Sequence, residues 1–189
     1  MSFDIDKYKK LEVKELGLPG AYLIKLVVNG DNRGWFKESY QQAKLEALGL
    51  PHFEVVQNNV SYNLQIGVTR GLHAEPWDKY ISMVYGSVIG AWVDLRKGPS
   101  FGKVITLELN PGTAVFIPKG IANGYQTLEE NSIYTYLVND HWSPDVKYVS
   151  LNLFDPILSI DWPTPKQNAI FSKKDQLSPM FSEIEPMEF

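Results

Sequence analysis

Imidazole is the side chain whose ordinary titration lies closest to neutral pH, so His52, His73 and His141, the three histidines of the chain, are weighed first. They stand in different company. His52 follows Pro51 in a connector without a chemical partner nearby, which fits a structural or exposed residue. His73 closes the run Arg70-Gly71-Leu72-His73, with Arg70 three positions before it and Lys79 six positions after. Nearby positive charge favours the neutral ring, and a neutral imidazole is what a general base must be. The competing reading is a buried histidine bonded to a backbone carbonyl.

The elements that must hold these residues read as strands. Segments 21–28, 53–56, 80–85, 87–95, 103–109, 113–117 and 132–138 are short, partly alternating and rich in Val, Ile, Tyr and Phe. Turn residues separate them: Asn29-Gly30-Asp31-Asn32, Gly98-Pro99, Asn110-Pro111-Gly112, Pro118-Lys119-Gly120 and Glu129-Glu130-Asn131. Many strands at this spacing predict an all-β antiparallel sandwich or barrel. One short helix is expected over 40–48, with Ser39 as its N-cap and Gly49 and Pro51 closing it. From Trp162 the chain turns proline-rich and polar, which predicts an irregular or partly helical tail over the sheets. Without repeats or linkers, residues 1–189 are expected to form one domain with two terminal extensions.

Composition excludes several classes. The 189 residues carry 18 Lys and Arg against 22 Asp and Glu, a formal charge of −4 that offers no basic footprint for nucleic acid. A small anionic ligand is still compatible, because a few arginines in one pocket can hold a pyrophosphate. Cysteine is absent, which removes disulfides, thiolate catalysis and sulfur-ligated metals. No apolar run approaches the roughly 18 residues of a membrane span, and the polar N-terminus lacks a signal-peptide core, so the expected location is the cytoplasm. A metal site in a jelly roll needs two closely spaced histidines, a carboxylate and a distant histidine. Here Glu75 is the one potential ligand beside His73, with His141 as the distant candidate, so metal is not expected.

Several stretches, taken in order, resemble one family. They are Gly30-Asp31-Asn32-Arg33-Gly34-Trp35-Phe36-Lys37-Glu38, Val56-Gln57-Asn58-Asn59-Val60-Ser61, Thr69-Arg70-Gly71-Leu72-His73, Val93-Asp94-Leu95-Arg96 and Phe116-Ile117-Pro118-Lys119-Gly120. Tyr134-Thr135-Tyr136, Asp140-His141-Trp142-Ser143-Pro144, Asp155-Pro156, Ile160-Asp161-Trp162-Pro163 and Ser172-Lys173-Lys174-Asp175 follow. From about Gly30 to Pro179 the chain resembles the dTDP-4-dehydrorhamnose 3,5-epimerases, and Arg70 to Tyr80 is most similar to their streptococcal-type branch. The resemblance implies a cupin-type jelly-roll barrel or sandwich with short helices, a homodimer, no metal and no cofactor. It also implies a dTDP-sugar substrate.

Carried over position by position, the resemblance makes His73 the general base and Asp175 the carboxylate that orients it. Tyr136 corresponds to the acid on the opposite face, and Lys79 to the cation near the ketone oxygen. A 4-keto sugar that loses a proton at C3 or C5 pushes charge onto its C4 oxygen, and an ammonium there stabilises the enolate. Period-two spacing places Tyr134 and Tyr136 on one face of their strand. Arg33 and Arg70 resemble diphosphate and sugar contacts, Gln57 and Asn59 supply amides, and Glu38 resembles a nucleotide contact made across the dimer. Trp142 stands where a ring stacks on thymine, while Asn123 and Lys174 complete the expected substrate contacts. Two positions depart from the family pattern: Asn123 replaces a common histidine, and Lys147 falls where a nucleotide-contacting glutamate is usual. A mono-epimerase acting at C3 or C5 alone and a non-catalytic sugar-nucleotide-binding jelly roll stay open on sequence.

Overall fold

The computed structural model describes residues 4–188. Strands β1 (Glu12–Glu15), β2 (Tyr22–Lys25), β10 (Thr113–Ile117), β7 (Lys79–Tyr85), β12 (Ser132–Val138) and β5 (Gln57–Asn63) form one sheet, in the spatial order β1-β2-β10-β7-β12-β5. A second sheet has the order β13-β6-β11-β8-β9, built from β13 (Val149–Ser150), β6 (Thr69–Ala74), β11 (Ile121–Thr127), β8 (Val88–Asp94) and β9 (Val104–Leu109). All strand pairings within these sheets are antiparallel. Strands β3 (Val28–Asp31) and β4 (Gly34–Lys37) make a separate hairpin. Helices α1 (Gln42–Ala47) and α2 (Lys173–Gln176) are short, and single 3₁₀ turns lie at 5–7 and 181–183. This is a cupin-type jelly roll.

Each sheet is covered over part of its outer face as well as on its inner one, so the buried apolar residues divide among three layers. Ile81, Met83, Trp92, Val115, Ile121, Tyr125 and Tyr134 pack between the sheets. Leu45, Leu50, Phe53, Tyr80 and Phe116 fill the layer under α1, outside the first sheet. Leu72, Ala74, Val93, Leu151, Leu158 and Trp162 lie outside the second sheet, where the C-terminal tail seals them. Each large side chain so buried contributes roughly 1.5–3 kcal/mol. Strand alternation then assigns the chemistry. In β6, Leu72 and Ala74 face the tail while His73 belongs to the inner face; in β7, Tyr80 faces α1 while Lys79 and Ile81 turn inward.

Some sequence expectations change. Residues 53–56 form no strand; pairing starts at Gln57, and Phe53 anchors the layer under α1 instead. Segment 21–28 breaks after Lys25, and residues 29–32, read as a turn, belong mostly to a strand hairpin. The cap of α1 is Gln41 rather than Ser39: its side chain accepts from the Lys44 amide at 2.6 Å, while Ser39 Oγ meets Ser82 Oγ at 2.9 Å. The C-terminal region is largely irregular, with α2 and one 3₁₀ turn, as expected.

Candidate active site

The inner faces of the two sheets meet over a cavity of about 280 Å³. One wall is β6, which carries His73. At Gly71, φ is +113°, and a Cβ would lie 2.6 Å from both the Asn123 carbonyl oxygen and the Gly124 Cα. Only glycine lets β6 approach β11 so closely. Register then pairs His73 with Asn123, and both line the cavity.

Asp175 reaches His73 from α2. The helix is capped by Ser172, whose hydroxyl accepts from the Asp175 amide at 3.0 Å and donates to Asp175 Oδ2 at 2.9 Å. The other carboxylate oxygen lies 3.0 Å from His73 Nε2. Burial pushes the Asp175 carboxyl up, but hydrogen bonds from His73 and Ser172, with the charges of His73 and Lys174, hold it below the ordinary range. The ionised carboxylate fixes the ring proton on Nε2 and leaves the lone pair on Nδ1.

The opposing wall comes from β7 and β12. Lys79 is almost fully buried, bound to the Glu75 carboxylate, with its Nζ 5.7 Å from the centre of the Tyr136 ring. Tyr125 and Tyr134 stack with centroids 4.1 Å apart, and Tyr134 donates to Asn123 Oδ1 at 3.1 Å. Among the described residues no hydrogen bond engages the Tyr136 hydroxyl. Its titration is pushed up to about 12, first by burial and then by the Glu75 charge, so Tyr136 holds its proton at neutral pH. Tyr134 is buried more deeply and pushed well above the ordinary phenol range. A protonated phenol on one sheet thus lies across the cavity from the Asp175-bound imidazole on the other.

Arg70 donates from Nε to Asn63 Oδ1 at 3.0 Å, an oxygen that also accepts from Tyr125 at 3.1 Å. Lys174 donates to the Tyr148 hydroxyl, and the Tyr148 ring lies 5.5 Å from that of His73. Of the residues singled out in the sequence, His73, Asp175, Tyr136, Lys79, Arg70, Asn123 and Lys174 line this one cavity. Gln57 and Asn59 continue along β5 beyond cavity-lining Ser61; Asn59 pairs with Tyr136, and Gln57 Oε1 accepts from the Trp142 amide at 3.0 Å. Trp142 itself is exposed on the loop after β12, as is Lys147.

Arg33 and Glu38 do not line this cavity. Arg33 sits at the tip of the β3–β4 hairpin, paired with Asp31 at 2.5 Å, and Glu38 is bound to Lys44 beside a different pocket. His52 is exposed and paired with Glu46, and His141 is also exposed. Glu75, weighed in the sequence only as a metal ligand, is engaged by Lys79. Tyr148 and Asn63 were not singled out. Strand alternation from Ser61 points to Asn63, whereas Tyr148 lies in a loop without a pattern.

Fold and site together describe a jelly roll whose cavity carries a histidine–carboxylate pair on one sheet and a protonated phenol on the other. The sequence pattern of the dTDP-4-dehydrorhamnose 3,5-epimerase family matches residues 15–183, and the chain belongs to that family. It is 46% identical over 184 residues to the RmlC homolog of Streptococcus pyogenes serotype M6, covering 94% of this chain and 91% of the relative. RmlC from Streptococcus suis, solved in complex with dTDP-D-xylose, superposes with a TM-score of 0.90 at 41% identity, covering 95% of each chain. RmlC from Legionella pneumophila, in complex with dTDP-4-keto-L-rhamnose, gives 0.84 at 29% identity, covering 95% of this chain and all (100%) of the other.

Proposed function

We propose that the protein epimerises dTDP-4-dehydro-6-deoxy-D-glucose at C3 and C5 to dTDP-4-dehydro-β-L-rhamnose. His73 Nδ1 removes the C5 proton, and the electron pair of the broken C–H bond moves onto the C4 oxygen as an enolate beside the Lys79 ammonium. Tyr136 returns a proton to the opposite face, restoring the ketone with inverted C5. His73 then releases its proton and Tyr136 regains one before the cycle repeats at C3. The observation that carries this reading is the placement of His73 and Tyr136 on opposing sheets across one cavity. Inversion needs a base and an acid on opposite faces of the ring; binding alone does not. Acid–base groups of this kind contribute roughly 10²–10⁴-fold each.

Arg70, Asn123 and Lys174 are assigned to the sugar and diphosphate, with Gln57, Asn59 and Trp142 on the nucleotide side. Arg33 and Glu38, turned away from the cavity of their own chain, are assigned to the site of a second subunit in a homodimer. No helix of the described residues is long and apolar enough to cross a membrane. A nucleotide-sugar substrate supports a cytoplasmic location. The test is proton NMR of the protein with dTDP-4-keto-6-deoxy-D-glucose in deuterated water. Deuterium at C3 and C5, with product captured by a rhamnose-forming reductase, supports the reading. Exchange at one carbon selects a mono-epimerase, and none with dTDP binding intact selects a silent binder.

A further inference from the structure

The mechanism gives Glu75 no task, yet a carboxylate beside a developing enolate opposes the reaction unless something offsets it. Glu75 directly follows β6, lines the cavity and is nearly buried, and its carboxylate is bound to the Lys79 ammonium, itself only 3% exposed. Lys79 Nζ stands 5.7 Å from the centre of the Tyr136 ring, and an ammonium beside a phenol favours the phenolate unless a neighbouring charge offsets it. An acid that has already lost its proton cannot return one to the sugar. Other charged or titratable groups come from β6 (His73, Arg70), from β11 (Tyr125), from β12 (Tyr134) and from the tail and its preceding loop (Asp175, Lys174, Tyr148). Among these the described structure pairs Asp175 with His73 and Lys174 with Tyr148, which leaves Glu75 as the carboxylate that meets Lys79.

Resting on the epimerase reading above, we propose that Glu75 is a positioning residue: it holds the Lys79 ammonium in the cavity wall and offsets its charge at Tyr136, so that acid and electrophile can work side by side. Burial first and the Glu75 charge second raise the Tyr136 titration, against a lowering by Arg70, in agreement with this geometry.

The experiment reads Tyr136 directly in protein labelled with ¹³Cζ-tyrosine, its signal assigned with Tyr136→Phe, without substrate. In the native protein Tyr136 is expected to stay protonated up to about pH 11, consistent with a titration near 12. In Glu75→Gln the midpoint falls by about one unit or more, and kcat falls about a hundredfold while KM changes less, the pattern for lost transition-state stabilisation. A folded Glu75→Gln protein with unmoved Tyr136 titration overturns the proposal. Glu75→Asp keeps the charge and draws the ammonium back; it is expected to leave the Tyr136 titration native and to lower kcat at least about tenfold, as small misplacements do. Native kcat in that variant overturns the positioning role, and it carries the test if unpaired Lys79 prevents Glu75→Gln from folding. A shifted Tyr136 in a protein that exchanges no sugar proton would overturn the epimerase reading, leaving the electrostatic role of Glu75 standing.

Discussion

His73 and Asp175 meet across 102 positions of sequence, and the pair separates binding from chemistry. On the proposed mechanism His73→Ala removes the base and leaves the nucleotide contacts, so solvent exchange at the sugar carbons should fall by about 10²–10⁴-fold while dTDP affinity by calorimetry stays native. Exchange at the native rate would remove His73 from the reaction. Asp175 also makes a pH prediction. Its carboxyl titrates lower in the folded chain than in the unfolded one, so between those two values the unfolded chain binds more protons. The stability it contributes is complete above about pH 4, the ordinary carboxylate value, and is lost as pH falls through the lowered folded value. Urea unfolding of the native protein and Asp175→Asn should show a gap that narrows below that point; a constant gap from neutral pH downward would contradict it.

At the scale of elements, β6 and α2 do the placing, and each has a single weak point. Gly71→Ala puts a Cβ against backbone at 2.6 Å in a conformation L-residues avoid, so β6 must draw away from β11. The expected cost is at least about 2 kcal/mol, read as a lowered urea midpoint, with exchange activity reduced because His73 moves with the strand. Ser172→Ala removes both the cap of α2 and a hydrogen bond to Asp175, costing about 1 kcal/mol and lowering kcat with little change in KM. These elements were also the hardest to see in the sequence. β6 (TRGLHA) and β11 (IANGYQT) carry glycine, alanine and asparagine, because close packing and a polar cavity replace the β-branched residues that mark a strand. β5 is polar for the same reason, since Ser61 borders the cavity. The aromatic and β-branched strands β7, β8, β10 and β12 were legible, as was the shared face of Tyr134 and Tyr136. Asp175 was not legible from spacing, because its partner is set by how the tail folds back; only family resemblance singled it out. Glu75 was weighed only as a potential metal ligand, in a site where metal was not expected, because the turn that brings Lys79 onto it leaves no periodic trace.

The whole molecule leaves two features that one chain does not use. Arg33 and Glu38 lie away from the His73 cavity, and the edge strand β5 turns Val60 and Tyr62 to solvent at 61% and 54% exposure, with Val84 and Tyr85 exposed on nearby β7. An exposed apolar edge is an aggregation hazard unless another chain covers it. A two-fold dimer would cover it twice, by the same contact on each subunit. Replacing Tyr62 with Glu and Val60 with Lys should therefore yield a monomer by light scattering, with weakened dTDP binding although neither residue lines the cavity. The sharper test mixes subunits. If each site takes His73 from one chain and Arg33 from its partner, a hybrid of His73→Ala and Arg33→Ala subunits contains one site with both residues intact and one with both missing. Co-refolding equal amounts of these two impaired variants then restores about a quarter of native activity, since half the dimers are hybrids and each has one working site of two. If both residues serve a site in the same chain, every site in the mixture lacks one of them, and activity stays at the mean of the two variants.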